Sequence, residues 1–206
     1  TLGVLVTLAV VAYQAVVRLE RGPGAVTTTT QPAVSPQVPA TPGPSRTAST
    51  PSTPSTDFVL PPGWKLRDDG TGFAVPVPAS WRFSRDKDGR PRWSDPKTAT
   101  FLLIDQTRQP KPDPVRDWLA NEAARRDGYR AYERIRIEAV DYYDRAADWE
   151  FTYTSASGTP LHVLNRGFVT APDQAYSIYW STRADRWAAE LQRLRVVFDG
   201  FRPART

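Results

Sequence analysis

Residues 147–182 read ADWEFTYTSASGTPLHVLNRGFVTAPDQAYSIYWST, and this stretch decides the fold. In 147–154, Trp149, Phe151 and Tyr153 alternate with Asp148, Glu150 and Thr152, the period of two expected of a strand with one face toward a core. Residues 161–170 and 175–182 are equally rich in β-branched and aromatic side chains. The turns at Ser157-Gly158 and Pro172-Asp173 are short enough to make these neighbours antiparallel. A further strand over 130–142 precedes them.

Working outward, 182–201 reads as a helix with Trp187, Leu191, Leu194, Phe198 and Phe201 on one stripe. Thr182 and Asp185 have the spacing of a capping box. Upstream, Asp113 can cap a second helix with Pro114 at its first position; Val115, Trp118, Leu119 and Glu122/Ala123 recur at helical spacing, and Gly128 ends it. Residues 99–106 (ATFLLIDQ) read as a strand covered on both faces. Residues 81–85 and 90–94 form a hairpin about Asp88-Gly89. In 72–78 (GFAVPVP), Pro76 and Pro78 remove ladder donors, which predicts an edge strand. Two helices are too few for alternating βαβ units, so the fold class is α+β, a mostly antiparallel sheet packed with helices.

The rest of the 206-residue chain divides by charge. Residues 1–17 carry none and are apolar all round; as a helix they would span roughly 26 Å, near the short end for a membrane span. With its flank, 1–21 is expected to be a transmembrane helix. The absence of Met suggests that it continues upstream in a longer chain. Arg18 and Arg21 against Glu20 leave its orientation open. Residues 22–56 hold eight of the 20 Pro, one charge (Arg46) and no aromatic group, the composition of a disordered spacer reaching roughly 100 Å. Residues 57–206 hold all seven Trp and make one domain.

Composition excludes several chemistries. Without Cys there is no disulfide, thiolate zinc site or Cys nucleophile, and with one His a Ser-His-Asp triad could use only His162. No metal-ligand spacing occurs, and no cofactor is expected. Setting aside Arg18, Arg21, Arg46 and Glu20 reduces the net charge from +5 to +3 for 57–206. Arg and acidic residues interleave there without a basic block, so no nucleic-acid partner is expected.

Five residues are candidates for ligand binding: Arg166, Asn165, His162, Asp105 and Gln106. Asn165-Arg166-Gly167 interrupts an apolar strand. Arg166 either pairs with a buried carboxylate or recognises an anionic ligand, with Asp105-Gln106 at a strand end as a companion. His162, beside Leu161 and Val163, reads as a structural side chain, with a base as the alternative. Asp105, Asp141, Asp144, Asp148 and Glu150, set among arginines, read as solvated ion pairs rather than an acid/base pair. No catalytic or metal-binding residue is assigned.

The stretches GFAVPVPASW (72–81), LLIDQT (102–107), PKPDPVRDW (110–118), YERIRIEAVDYYDRAADWEFTY (132–153), LHVLNRGFVT (161–170) and AYSIYWST (175–182) resemble the C-terminal extracytoplasmic domain of actinobacterial membrane-anchored serine/threonine protein kinases. The resemblance implies a PsbP/Mog1-type α/β/α sandwich outside the membrane, with the kinase on the cytoplasmic side of a single span. Residues 22–206 would then be extracytoplasmic. No Gly-rich phosphate loop, Val-Ala-Ile-Lys, His-Arg-Asp or Asp-Phe-Gly motif occurs in the chain. The expected role is a non-catalytic sensor or partner-binding domain. Its partners would be an extracytoplasmic ligand or a cell-envelope component, with pairing of two copies as the signal. A structural or adhesion module of the envelope is the alternative, and a His162-dependent hydrolase a distant third.

Overall fold

The computed structural model describes residues 58–203. The expected membrane helix at 1–21 and spacer at 22–56 lie outside those residues, and among the described residues no helix is long and apolar enough to cross a membrane. In chain order the elements are β1 (Trp64–Asp68), β2 (Phe73–Pro78), β3 (Arg82–Arg85), β4 (Pro91–Ser94), β5 (Phe101–Thr107), α1 (Pro114–Arg125), β6 (Arg130–Val140), β7 (Arg145–Thr154), β8 (Pro160–Ala171), β9 (Gln174–Arg183), α2 (Trp187–Gly200) and β10 (Arg202–Pro203).

Strands β6 to β9 form the expected antiparallel run. β9 then pairs antiparallel with β5, which extends the sheet to seven strands in the order β3-β4-β5-β9-β8-β7-β6. Directly opposed residues share a face. One row therefore runs Arg92, Leu103, Tyr179, Asn165, Trp149 and Ile137 across six strands. The next row runs Asp105, Ser177, Gly167 and Ala147 on the same side. On this side α1 packs over β7 and β6, and Trp118 joins Ala147, Trp149, Phe151 and Val163 in a small core. On the other side α2 and a three-stranded sheet, β1-β2-β10, bury Leu102, Ile104, Ile178, Trp180 and Phe168 against Val75, Val77, Leu194, Val197 and Phe201.

Helix α1 starts as the sequence predicts. The Asp113 carboxylate accepts the N–H groups of Val115 and Arg116 at 3.0 and 3.1 Å, and Pro114 opens the helix. The 81–94 hairpin also forms, closed by Asp86 and Arg90, with Gly89 at φ 81°.

Four expectations need correction. β2 lies between β1 and β10 rather than at an edge. The Ala79 N–H bonds Gly63 on the β1 side, so by alternation the positions of Pro76 and Pro78 face the opposite side, where β10 reaches only Phe73 and Ala74. Their missing donors therefore break no ladder bond. The C-terminal helix begins at Trp187, not Thr182: β9 runs on to Arg183, Thr182 bonds the Thr100 hydroxyl at 2.7 Å, and Asp185 pairs with Arg183, so the capping box is not made. Leu119 and Leu191 are exposed because their helices bury the neighbouring Trp118 with Glu122, and Leu194 with Val197, instead. Asp148 and Glu150 are buried ion-pair partners rather than solvated ones.

Candidate functional site

A seven-stranded sheet is roughly 29 Å wide at about 4.8 Å per strand, and a helix with its side chains covers about 10–12 Å. One helix therefore leaves much of its face open. Because α1 sits over β7 and β6, the uncovered part is β4, β5, β9 and half of β8. There a cleft of about 450 Å³ opens between the sheet and α1. Leu103, Asp105, Ser177, Tyr179, Asn165 and Gly167 form its floor; Asp117, Trp118, Asn121 and Arg125 of α1 form one wall, and Arg90, Arg92 and Phe101 the opposite side.

The α1 wall is firmly fixed. The Trp118 indole donates to the Ala147 carbonyl at 3.0 Å, and the ring lies directly over Gly167. The buried Glu122 carboxylate accepts from the Tyr132 hydroxyl at 2.5 Å and from Arg134 at 2.9 Å, and Tyr132 in turn accepts the Trp149 indole N–H at 3.0 Å. Burial, reinforced by the bond to Glu122, pushes the Tyr132 phenol up to about 12, so it stays a neutral donor.

The charged groups in the cleft differ in how far they are used. Arg90 holds Asp86 at 2.6 Å and approaches Asp105 at 3.5 Å. Burial raises the Asp117 carboxyl above its ordinary value, although Lys111 and Arg125 oppose the shift, and the Asn121 amide donates to it at 3.2 Å. Among the described residues Arg92, Lys111 and Arg125 have no carboxylate partner within ion-pair distance; the Arg92 guanidinium lies 3.8 Å from the Phe101 ring centroid. On the floor, Asn165 is 7% exposed and its Oδ1 is buried without a hydrogen-bond partner.

The opposite face holds a chain of ion pairs. Arg166 donates through Nε and Nη2 to the two oxygens of Asp148 at 2.7 and 2.9 Å, and its guanidinium lies 3.9 Å from the Phe198 ring centroid under α2. Arg136 bridges Asp148 at 3.2 Å and Glu150 at 2.6 Å, and also pairs with Glu138. Glu150 binds His162 Nε2 at 2.7 Å, and the His162 ring stacks on Trp187 at 3.7 Å. Burial acts to raise the Glu150 carboxyl, but the bonds from His162 and Arg136 outweigh it and hold it below its ordinary value.

The five candidate residues thus separate. Asn165 and Asp105 face the cleft. Gln106 borders it, with its amide donating to the Thr71 carbonyl at 3.2 Å. Arg166 and His162 lie on the other face as structural partners of Asp148 and Glu150, and neither joins the others. Sequence reasoning missed Arg92, Lys111, Asp117, Asn121, Arg125 and Tyr129. The one local signal was Asp117 and Asn121 four apart on the Trp118 face of the predicted helix.

Residues 65–203 match the sequence model of the serine/threonine kinase C-terminal domain. The chain belongs to this family. The kinase C-terminal domain has a PsbP-like fold: it superimposes on the cyanobacterial PsbP protein CyanoP from Synechocystis sp. PCC 6803 with TM-score 0.53 at 17% identity, covering 72% of this chain and 96% of that one. LpqN of Mycobacterium tuberculosis, described as involved in cell envelope biogenesis, gives TM-score 0.47 at 12% identity over 69% and 91% of the two chains. The Ran-binding protein Mog1p of Saccharomyces cerevisiae gives 0.49 at 9% identity over 68% and 95%. At these identities the likeness is one of fold, and the fold assignment rests on CyanoP. No curated protein sequence matches the chain.

Proposed function

We propose that this kinase C-terminal domain is a non-catalytic binding domain, carried outside the cytoplasm on a single membrane span at 1–21 and a spacer at 22–56. Its α1-face cleft takes the signal. The observation that carries this reading is the open cleft itself: α2 and the small sheet pack on the opposite face, α1 sits over β7 and β6, and a space of about 450 Å³ lies beside α1 over the strands it leaves uncovered. That volume is within the usual range of small-molecule sites. The absence of kinase motifs from the chain leaves phosphoryl transfer to another part of the protein. A spacer of this composition transmits orientation poorly, so occupancy acts by bringing two copies together.

Thermal unfolding of the full chain with a panel of cell-wall fragments and small metabolites tests the reading. At least one compound raises the unfolding temperature of the wild type and not of Ser177→Phe, which fills the floor beside Asp105. A panel that shifts neither, or both equally, contradicts it.

A further inference from the structure

Buried polar groups are normally hydrogen-bonded, and an unpaired one costs stability. Asn165 breaks this rule at the centre of the cleft floor: its Oδ1 is buried and unpartnered between Tyr179 and Trp149, its opposed residues on β9 and β7. The surrounding charges show a second asymmetry. The cleft carboxylates are engaged, Asp86 and Asp105 by Arg90 and Asp117 by Asn121, whereas Lys111 and Arg125, which act on Asp117 only through longer-range attraction, and Arg92 have no carboxylate within ion-pair distance among the described residues. The unused capacity is therefore an amide on the floor and cations at the rim. Between them lie the apolar surfaces of Leu103, Phe101, Trp149 and Trp118.

We propose that the cleft binds a small carboxylate-bearing amide with an apolar side group, the chemistry of an N-acylated amino acid or short acylated peptide. This rests on the reading of the cleft as the binding site. The ligand amide pairs with the Asn165 side chain; because it carries both an N–H and a C=O, it matches that side chain whichever way the Asn amide is turned. The carboxylate pairs with Lys111 or Arg125, which flank the two ends of α1, where a charge-assisted hydrogen bond gives most of the polar affinity. The apolar group lies against Leu103 and the aromatic rings. At about 30 Å³ per water-sized unit, 450 Å³ corresponds to about 15 non-hydrogen atoms. N-acetyl-L-phenylalanine is a ligand of that size.

Titration of the full chain with N-acetyl-L-phenylalanine, followed by calorimetry, tests this. Saturable binding is expected in the wild type, weakened by about tenfold or more in the Lys111→Gln/Arg125→Gln double variant and by a similar factor in Asn165→Leu. Its methyl ester, which lacks the carboxylate, binds the wild type about tenfold more weakly or worse. The Lys111 and Arg125 changes are at exposed positions, so they report affinity even if Asn165→Leu alters packing. Equal affinity for the acid and the ester, or binding indifferent to both sets of substitutions, overturns the inference. No binding of the acid, while the broader panel produces a shift blocked by Ser177→Phe, overturns the ligand class and leaves the binding-domain reading standing. No such shift from any compound overturns both.

Discussion

The Trp118 ring lies so close over Gly167 that a β-carbon on residue 167 would sit 2.8 Å from Cζ2. The indole is also tied to the Ala147 carbonyl at 3.0 Å, so it is not free to step aside. Gly167→Ala should therefore lift α1 from the sheet and cost about 1–3 kcal/mol, the usual range for overpacking. Chemical denaturation measures the cost, and wild-type stability would show that the helix moves freely on the sheet.

The Arg166 pair predicts a large single-variant effect and a smaller double one. Asp148 is fully buried, so Arg166→Met leaves its charge with only the partial support of Arg136. A loss of about 3 kcal/mol is expected, and the Arg166→Met/Asp148→Leu double variant should recover much of it by replacing charge with packing. Ligand binding in the double variant should match the wild type. A double variant that folds but no longer binds would put Arg166 in the site after all.

Acid should weaken the same network. The Glu150 carboxyl titrates below its ordinary 4.5 in the folded chain, so its contribution is complete above that value and lost as the pH falls through the lower folded value. Glu150→Gln should lower stability at pH 7 and flatten the acid limb of a stability-against-pH curve. An unchanged acid limb would show that His162 and Arg136 do not hold this carboxylate.

Topology can be read with one substitution, because the chain has no Cys. Asp173 lies exposed in the turn between β8 and β9. The proposed placement outside the cytoplasm predicts that Asp173→Cys, in intact cells making the protein, reacts with a membrane-impermeant maleimide. Labelling only after lysis would place the domain on the cytoplasmic side.

What was legible in the sequence was local. Asp113-Pro114 announced α1, and the alternation of Trp149 with Asp148 and Glu150 gave the two faces of β7. The cleft was harder to read because it depends on β5 lying beside β9, a pairing between segments some seventy residues apart that no local pattern encodes. The break at Asn165-Arg166 points to an unusual place, but strand parity separates the two residues. Asn165 faces α1, whereas Arg166, like His162, faces α2. Lys111 and Arg92 carry no signal of their own; only the assembled fold shows that both line the cleft.

The indole N–H signals of the seven Trp offer the most direct test that the α1-face cleft is the site. Trp118 and Trp149 line it, while Trp187 stacks on His162 across the sheet and Trp81 packs on Trp180 in the other core. With a small-molecule mixture added to the labelled chain, the Trp118 and Trp149 indole peaks should move and those of Trp81, Trp180 and Trp187 should stay. Shifts centred on Trp187, or no saturable shift at Trp118 and Trp149, would contradict it.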